Sequence, residues 1–75
     1  MATSAPVIGT VVAFDREVGL GTVRADDGTE LTFHATAISD GSRDIAVGTA
    51  VLHRTAAGHG GALEARPVTP LPSRS

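Results

Sequence analysis

Cysteine, tryptophan, tyrosine and lysine are all absent from this sequence. Without cysteine there is neither a disulfide nor a thiolate metal ligand, and the redox compartment stays open. Phe14 and Phe33 are the only Phe, Tyr or Trp residues, so few rings are available for a core or for stacking. Arginine supplies all six cations against eight acidic residues, a formal charge of −2 with a pI near 5.8. That balance excludes a strongly basic nucleic-acid binder. No apolar run approaches the ~18 residues of a transmembrane span. Residues 1–6 (MATSAP) have neither the basic nor the apolar stretch of a secretory signal, so the expected location is the cytoplasm.

What is present reads as one small domain. A 75-residue chain of this size buries only about 60% of its unfolded surface, so its core is thin. Nine Gly and four Pro argue against a helical bundle, because both weaken helix interiors. The 41% hydrophobic content is enough for a compact fold.

The apolar stretches are short and separated by turn residues, as in a small sandwich or barrel. After a flexible N-terminal tail over residues 1–6, the β-branched run Val7 to Phe14 predicts a first strand. Asp15 to Gly19 is a connection, Leu20 to Ala25 a second strand, and Asp26-Asp27-Gly28-Thr29 a hairpin turn. Glu30 to His34 alternates cleanly: Leu31 and Phe33 point to the core, Glu30, Thr32 and His34 outward. Ala35 to Ile38 suits a short helical turn, and Ser39 to Ser42 a loop. Val47 to Ala56 is a fourth strand whose inward set is open between Val51, His53 and Thr55 and the alternates Ala50, Leu52 and Ala56. A Gly-rich loop from Gly58 to Gly61 leads to a fifth strand over Ala62 to Arg66. The three prolines in Pro67 to Ser75 predict an extended or disordered C-terminal tail.

Five short strands with these glycines resemble the cold-shock domain family. Gly9-Thr10-Val11 and Phe14 are similar to its opening motif G-x-V-x-W-F-N. Gly19-Leu20-Gly21-Thr22-Val23 is similar to G-F-G-F-I, its first RNA-binding motif, and Leu31-Thr32-Phe33-His34 to V-F-V-H, its second. Thr36-Ala37-Ile38, Gly48, Val51 and the pair Gly58 and Gly61 keep the family's spacing, while the turn before Glu30 and the loop after Ile38 are each one residue shorter. The resemblance covers residues 9–66 and implies an all-β, five-stranded barrel of the OB type, here bounded as residues 7–66.

It also implies binding of single-stranded RNA or DNA on the outward face of the second and third strands, by stacking and a basic rim. Most of the stacking rings are replaced. Ala13 stands in place of the Trp, Leu20 and Thr22 in place of two Phe, and Thr32, Ala35 and Ser42 in place of further aromatics; His34 survives. Val12 and Val18 occupy positions usually held by Lys, and Asp15 replaces an Asn. The expected interface is therefore weak or atypical and consists of His34, Thr32, Thr22, Leu20, Phe14, Arg16 and Arg54. The alternative is a protein-interaction or self-association module, since outward Leu20, Val12 and Val18 would form an apolar patch.

Other residues carry weaker signals. His53 falls where the family has a core Phe, and reads as a partly buried histidine or a shifted strand register. His59 lies in the Gly loop, and the three His lack ligand spacing such as H-x₃-H. Gly58 to Gly61 has the form of a phosphate nest, but the bland reading is a hairpin. No nucleophile motif or spaced carboxylate–His set is present, so neither an enzyme nor a cofactor or metal site is expected.

Overall fold

The computed structural model describes residues 5–57 and 63–72. Five strands occur in it: β1 (Val7–Asp15), β2 (Leu20–Ala25), β3 (Glu30–His34), β4 (Ala50–Ala57) and β5 (Leu63–Pro70). A single 3₁₀ turn, Ala35–Ala37, follows β3. The strands close into a barrel in the order β1-β2-β3-β5-β4. This is an all-β, closed five-stranded architecture of the OB type, as expected. Among the described residues no helix is long and apolar enough to cross a membrane.

The inner face follows the pleat. Val11, Val23, Phe33, Ile38, Ile45, Val51, Ala65 and Val68 form one buried cluster, with Phe14 and Leu31 packed against it. Alternation in β2 and β3 runs as the sequence implies, with Gly21, Val23 and Phe33 buried and Arg24, Thr32 and His34 exposed. Gly21 is required for close approach. A Cβ there would stand 2.5 Å from Phe33 Cζ and 2.8 Å from the Ala13 carbonyl oxygen, so a ring as large as phenylalanine fits inside only because Gly21 has no side chain.

The connections are set by local chemistry. Asp15 Oδ1 accepts from the backbone N–H of Glu17 and of Val18, and the Gly19 N–H donates to the Asp15 carbonyl, which closes the β1–β2 turn. In the β2–β3 turn the Thr29 N–H donates to Asp27 Oδ1 at 2.9 Å, and the Gly28 N–H donates to the Ala25 carbonyl. The Thr29 bond also holds the Asp27 carboxyl below its ordinary range.

Several boundaries differ from the sequence expectation. β4 starts at Ala50, not Val47, because Val47 and Gly48 form a turn in which Gly48 has φ of 95°. Its inward residues are Val51 and His53, which resolves the ambiguity of that strand. β5 does not stop at Arg66 but runs to Pro70, and Val68 is fully buried. The register against β4 shifts between His53 and Thr55, and this irregularity accommodates the Arg66–Pro67 step, where proline has no N–H for the ladder. The barrel therefore extends beyond residue 66, and the segment from Pro67 begins as wall, not tail. A second bulge on β1, between Val11 and Ala13, turns Val12 half inward. Residues 1–4, the Gly58–Gly61 loop with His59, Ala62 and residues 73–75 lie outside the described residues.

Candidate nucleic-acid interface

Antiparallel pairing of β2 with β3 sets Leu20 opposite His34 and Thr22 opposite Thr32. Because every second residue faces outward, these four side chains share one outer face. Beside it, β1 places Ala13 opposite Thr22 and Phe14 opposite Gly21. Phe14, Leu20, Thr22 and Thr32, with Ala13, Asp15 and Gly21, line a shallow depression of about 290 Å³. Five of the seven residues expected at the interface are thus brought together: Phe14, Leu20, Thr22, Thr32 and His34.

Their character differs from a stacking platform. Phe14 is half-buried, and its ring lies parallel to Phe33. Leu20 and Thr22 are half-buried, while the His34 side chain is 54% exposed. A flat base placed in the depression would meet Phe14, the aliphatic side chain of Leu20 and the residues Thr22 and Thr32. Such a surface offers contact area and hydrogen bonds more than ring-on-ring stacking.

The two expected arginines do not join this face equally. Arg16 sits in the β1–β2 turn next to the depression's Asp15 and donates its Nε–H to Asp44 Oδ1 at 3.1 Å. The pair is well exposed, so it is worth at most about 1 kcal/mol and leaves Arg16 recruitable by a phosphate. Arg54 belongs elsewhere: it is on β4 and lines a separate groove with Pro6, Leu52, Pro67 and Thr69. The reason is topological, since β4 pairs with β1 and β5 and never with β2 or β3. Arg24, exposed on β2, donates through Nε and Nη2 to Glu30 Oε2. Arg66 donates to the Ala57 carbonyl. Among the described residues no basic rim forms around the depression.

Sequence reasoning missed one neighbour. Glu64 of β5 comes within 3.9 Å of His34 Nε2, with its own side chain only 16% exposed. Barrel closure causes this, through the parallel pairing of Thr32 with Glu64. No local signal marks a contact thirty residues away. The predicted apolar patch is also reshaped, because Val18 is 64% exposed whereas Val12 and Leu20 are half-buried.

His53 is 2% exposed, deeper than a partly buried reading implied. Neither ring nitrogen has a hydrogen-bond partner among the described residues, and burial pushes its pKa below the ordinary 6.5. No group of three or more His, Asp or Glu positioned to hold a metal ion occurs among the described residues. No family model matches the chain, and no curated protein matches it.

Proposed function

We propose that this protein is a divergent cold-shock-like barrel that binds single-stranded RNA or DNA weakly in the cytoplasm, through the outer face of β2 and β3. It acts as a binding module and not as an enzyme. The observation that carries the reading is the convergence of Phe14, Leu20, Thr22 and Thr32 on one depression, with His34 paired across from Leu20. In this reading the hydroxyls and the imidazole hydrogen-bond base edges, Phe14 and Leu20 provide apolar contact, and Arg16 exchanges Asp44 for a phosphate.

The affinity expected is low, because stacked bases contribute about 1–3 kcal/mol each and the rings that would supply them are replaced. Fluorescence anisotropy of labelled single-stranded DNA and RNA, at low and raised salt, tests the reading. With one or two phosphates neutralised, log K should fall against log salt with a slope of roughly −0.7 to −1.4. No binding by either nucleic acid across several sequences overturns it.

A second reading, a protein-interaction module, draws on the acidic neighbours of the same face. Asp15 lines the depression and Glu64 stands beside His34, which repels phosphate and suits an apolar or cationic protein surface. Self-association in sedimentation without nucleic acid, with no oligonucleotide binding by anisotropy, would favour it.

A further inference from the structure

The outward row that sets Thr22 opposite Thr32 continues across the β3–β5 pairing to Glu64. A carboxylate at the end of that row works against a phosphate chain. The Glu64 side chain is only 16% exposed, so its surroundings confine it. His34 Nε2 lies 3.9 Å from Glu64 Oε2. That is too far for a hydrogen bond between them but well inside the distance over which charges couple.

The other charges around His34 leave the sign of this corner to the imidazole. From β2, Leu20 opposite and Thr22 beyond it are neutral, while Arg24 is bonded through Nε and Nη2 to Glu30. The 3₁₀ turn Ala35–Ala37 carries no charge. The Ala35 N–H donates to the Gly19 carbonyl, which ties the β1–β2 turn to this end of β3. The charged residues of that turn are Asp15, Glu17 and Arg16, and Arg16 is bonded to Asp44. On β5, Arg66 donates to the Ala57 carbonyl, on the β4 side of its strand. With a neutral imidazole, the described charges gathered here are mainly carboxylates.

Resting on the β2–β3 reading of function, we propose that the His34–Glu64 pair makes single-strand binding pH-responsive, with nucleic acid held more tightly when His34 is protonated. The imidazolium then masks Glu64 and offers Nε2–H to a phosphate. Histidine is the side chain whose charge ordinarily changes between about pH 5 and 8. Proton loss turns the pair from neutral to negative. A phosphate chain favours the protonated form, so affinity rises as pH falls. The repulsion belongs to Glu64, which gives the pair a signature that a lone surface histidine lacks. Removing the carboxylate at higher pH changes the local charge as much as adding the proton at lower pH does.

Oligothymidylate is a suitable probe, because its bases do not titrate in this range. Anisotropy titrations of the labelled strand at about pH 5.5 and about pH 8 read the response. Parent affinity should be roughly two- to fivefold higher at the lower pH, the worth of one exposed charge. The fall of log K with log salt should be steeper there by about 0.7, for one more phosphate neutralised. His34→Ala should show no gain at the lower pH, and Glu64→Gln should reach at the higher pH the affinity that the parent reaches at the lower. Acid destabilisation through His53 acts in the opposite direction, and His34→Ala controls for it. Equal parent affinity and salt slope at both pH values overturn the pH response and leave the binding reading intact, whereas no binding at either pH overturns both. A gain that survives His34→Ala, or a Glu64→Gln chain with unchanged affinity at the higher pH, overturns the role of the pair.

Discussion

The ring of Phe14 lies parallel to that of Phe33, with centroids 5.9 Å apart and planes inclined by 9°. Phe33 is fully buried, so the one aromatic that reaches the outer depression is anchored from beneath by the core. This offset stack fixes the Phe14 plane but also occupies one of its faces. The depression thus has a rigid apolar base, and the proposed interface has no free Phe, Tyr or Trp ring on which a base could stack.

Returning rings to this face should return affinity. Leu20→Phe, Thr22→Phe and Thr32→Phe together place aromatics around the depression, and Thr22 and Thr32 are direct cross-strand partners. At about 1–3 kcal/mol per stacked base, single-strand affinity should rise by at least about tenfold. Anisotropy titration of the triple variant reads this directly, and an unchanged Kd would show that the face is not the interface.

His34→Ala should weaken oligonucleotide binding by roughly two- to tenfold, the worth of one hydrogen bond. Its side chain is half exposed and outside the core, so the thermal midpoint should stay close to that of the parent. A variant with full affinity removes His34 from the site.

Acid should destabilise the barrel through His53. Burial lowers its folded pKa below the unfolded value near 6.5. Its contribution is therefore complete above that value, and it is lost as pH falls, because only the unfolded chain takes up the proton. The slope is at most about 1.4 kcal/mol per pH unit. Chemical denaturation from neutral pH downward should show this loss starting near pH 6.5. His53→Leu, which removes the unpartnered nitrogens, should flatten it. An equal slope in parent and variant would assign the acid sensitivity to other groups.

Deletion from Pro67 onward should unfold the protein. Val68 is fully buried, pairs with His53, bridges to Ile38, and accepts at its carbonyl from the Ser39 N–H at 2.8 Å. Losing these contacts removes several kcal/mol from a total of order 5 kcal/mol in so small a domain. Circular dichroism of a chain ending at Arg66 checks it; a cooperative unfolding transition at the parent's midpoint would contradict the role of β5.

Much of the barrel was legible from local pattern. The boundaries of β2 and β3, the Asp-Asp-Gly turn, and the outward set Thr32 and His34 follow from alternation and turn chemistry, both of which act over a few residues. The far end of β5 is not legible in the sequence, because three prolines in nine residues have the pattern of a tail. Proline's missing N–H is harmful only where a ladder bond is needed, and the β4–β5 irregularity removes that need. Alternation alone left the inward face of β4 open; the core volume beside Gly9 and Val11 settles it in favour of Val51 and His53.

The candidate site divides in the same way. Local alternation tells which side chains point outward on neighbouring strands, and composition tells that rings are few and lysine is absent. Only the tertiary structure decided that Arg54 lies on another groove, that Arg16 is held by Asp44, and that Glu64 stands beside His34. The physical reason is barrel closure. Strand pairing across thirty residues selects electrostatic neighbours through register, and register between distant strands is a property of the whole folded wall.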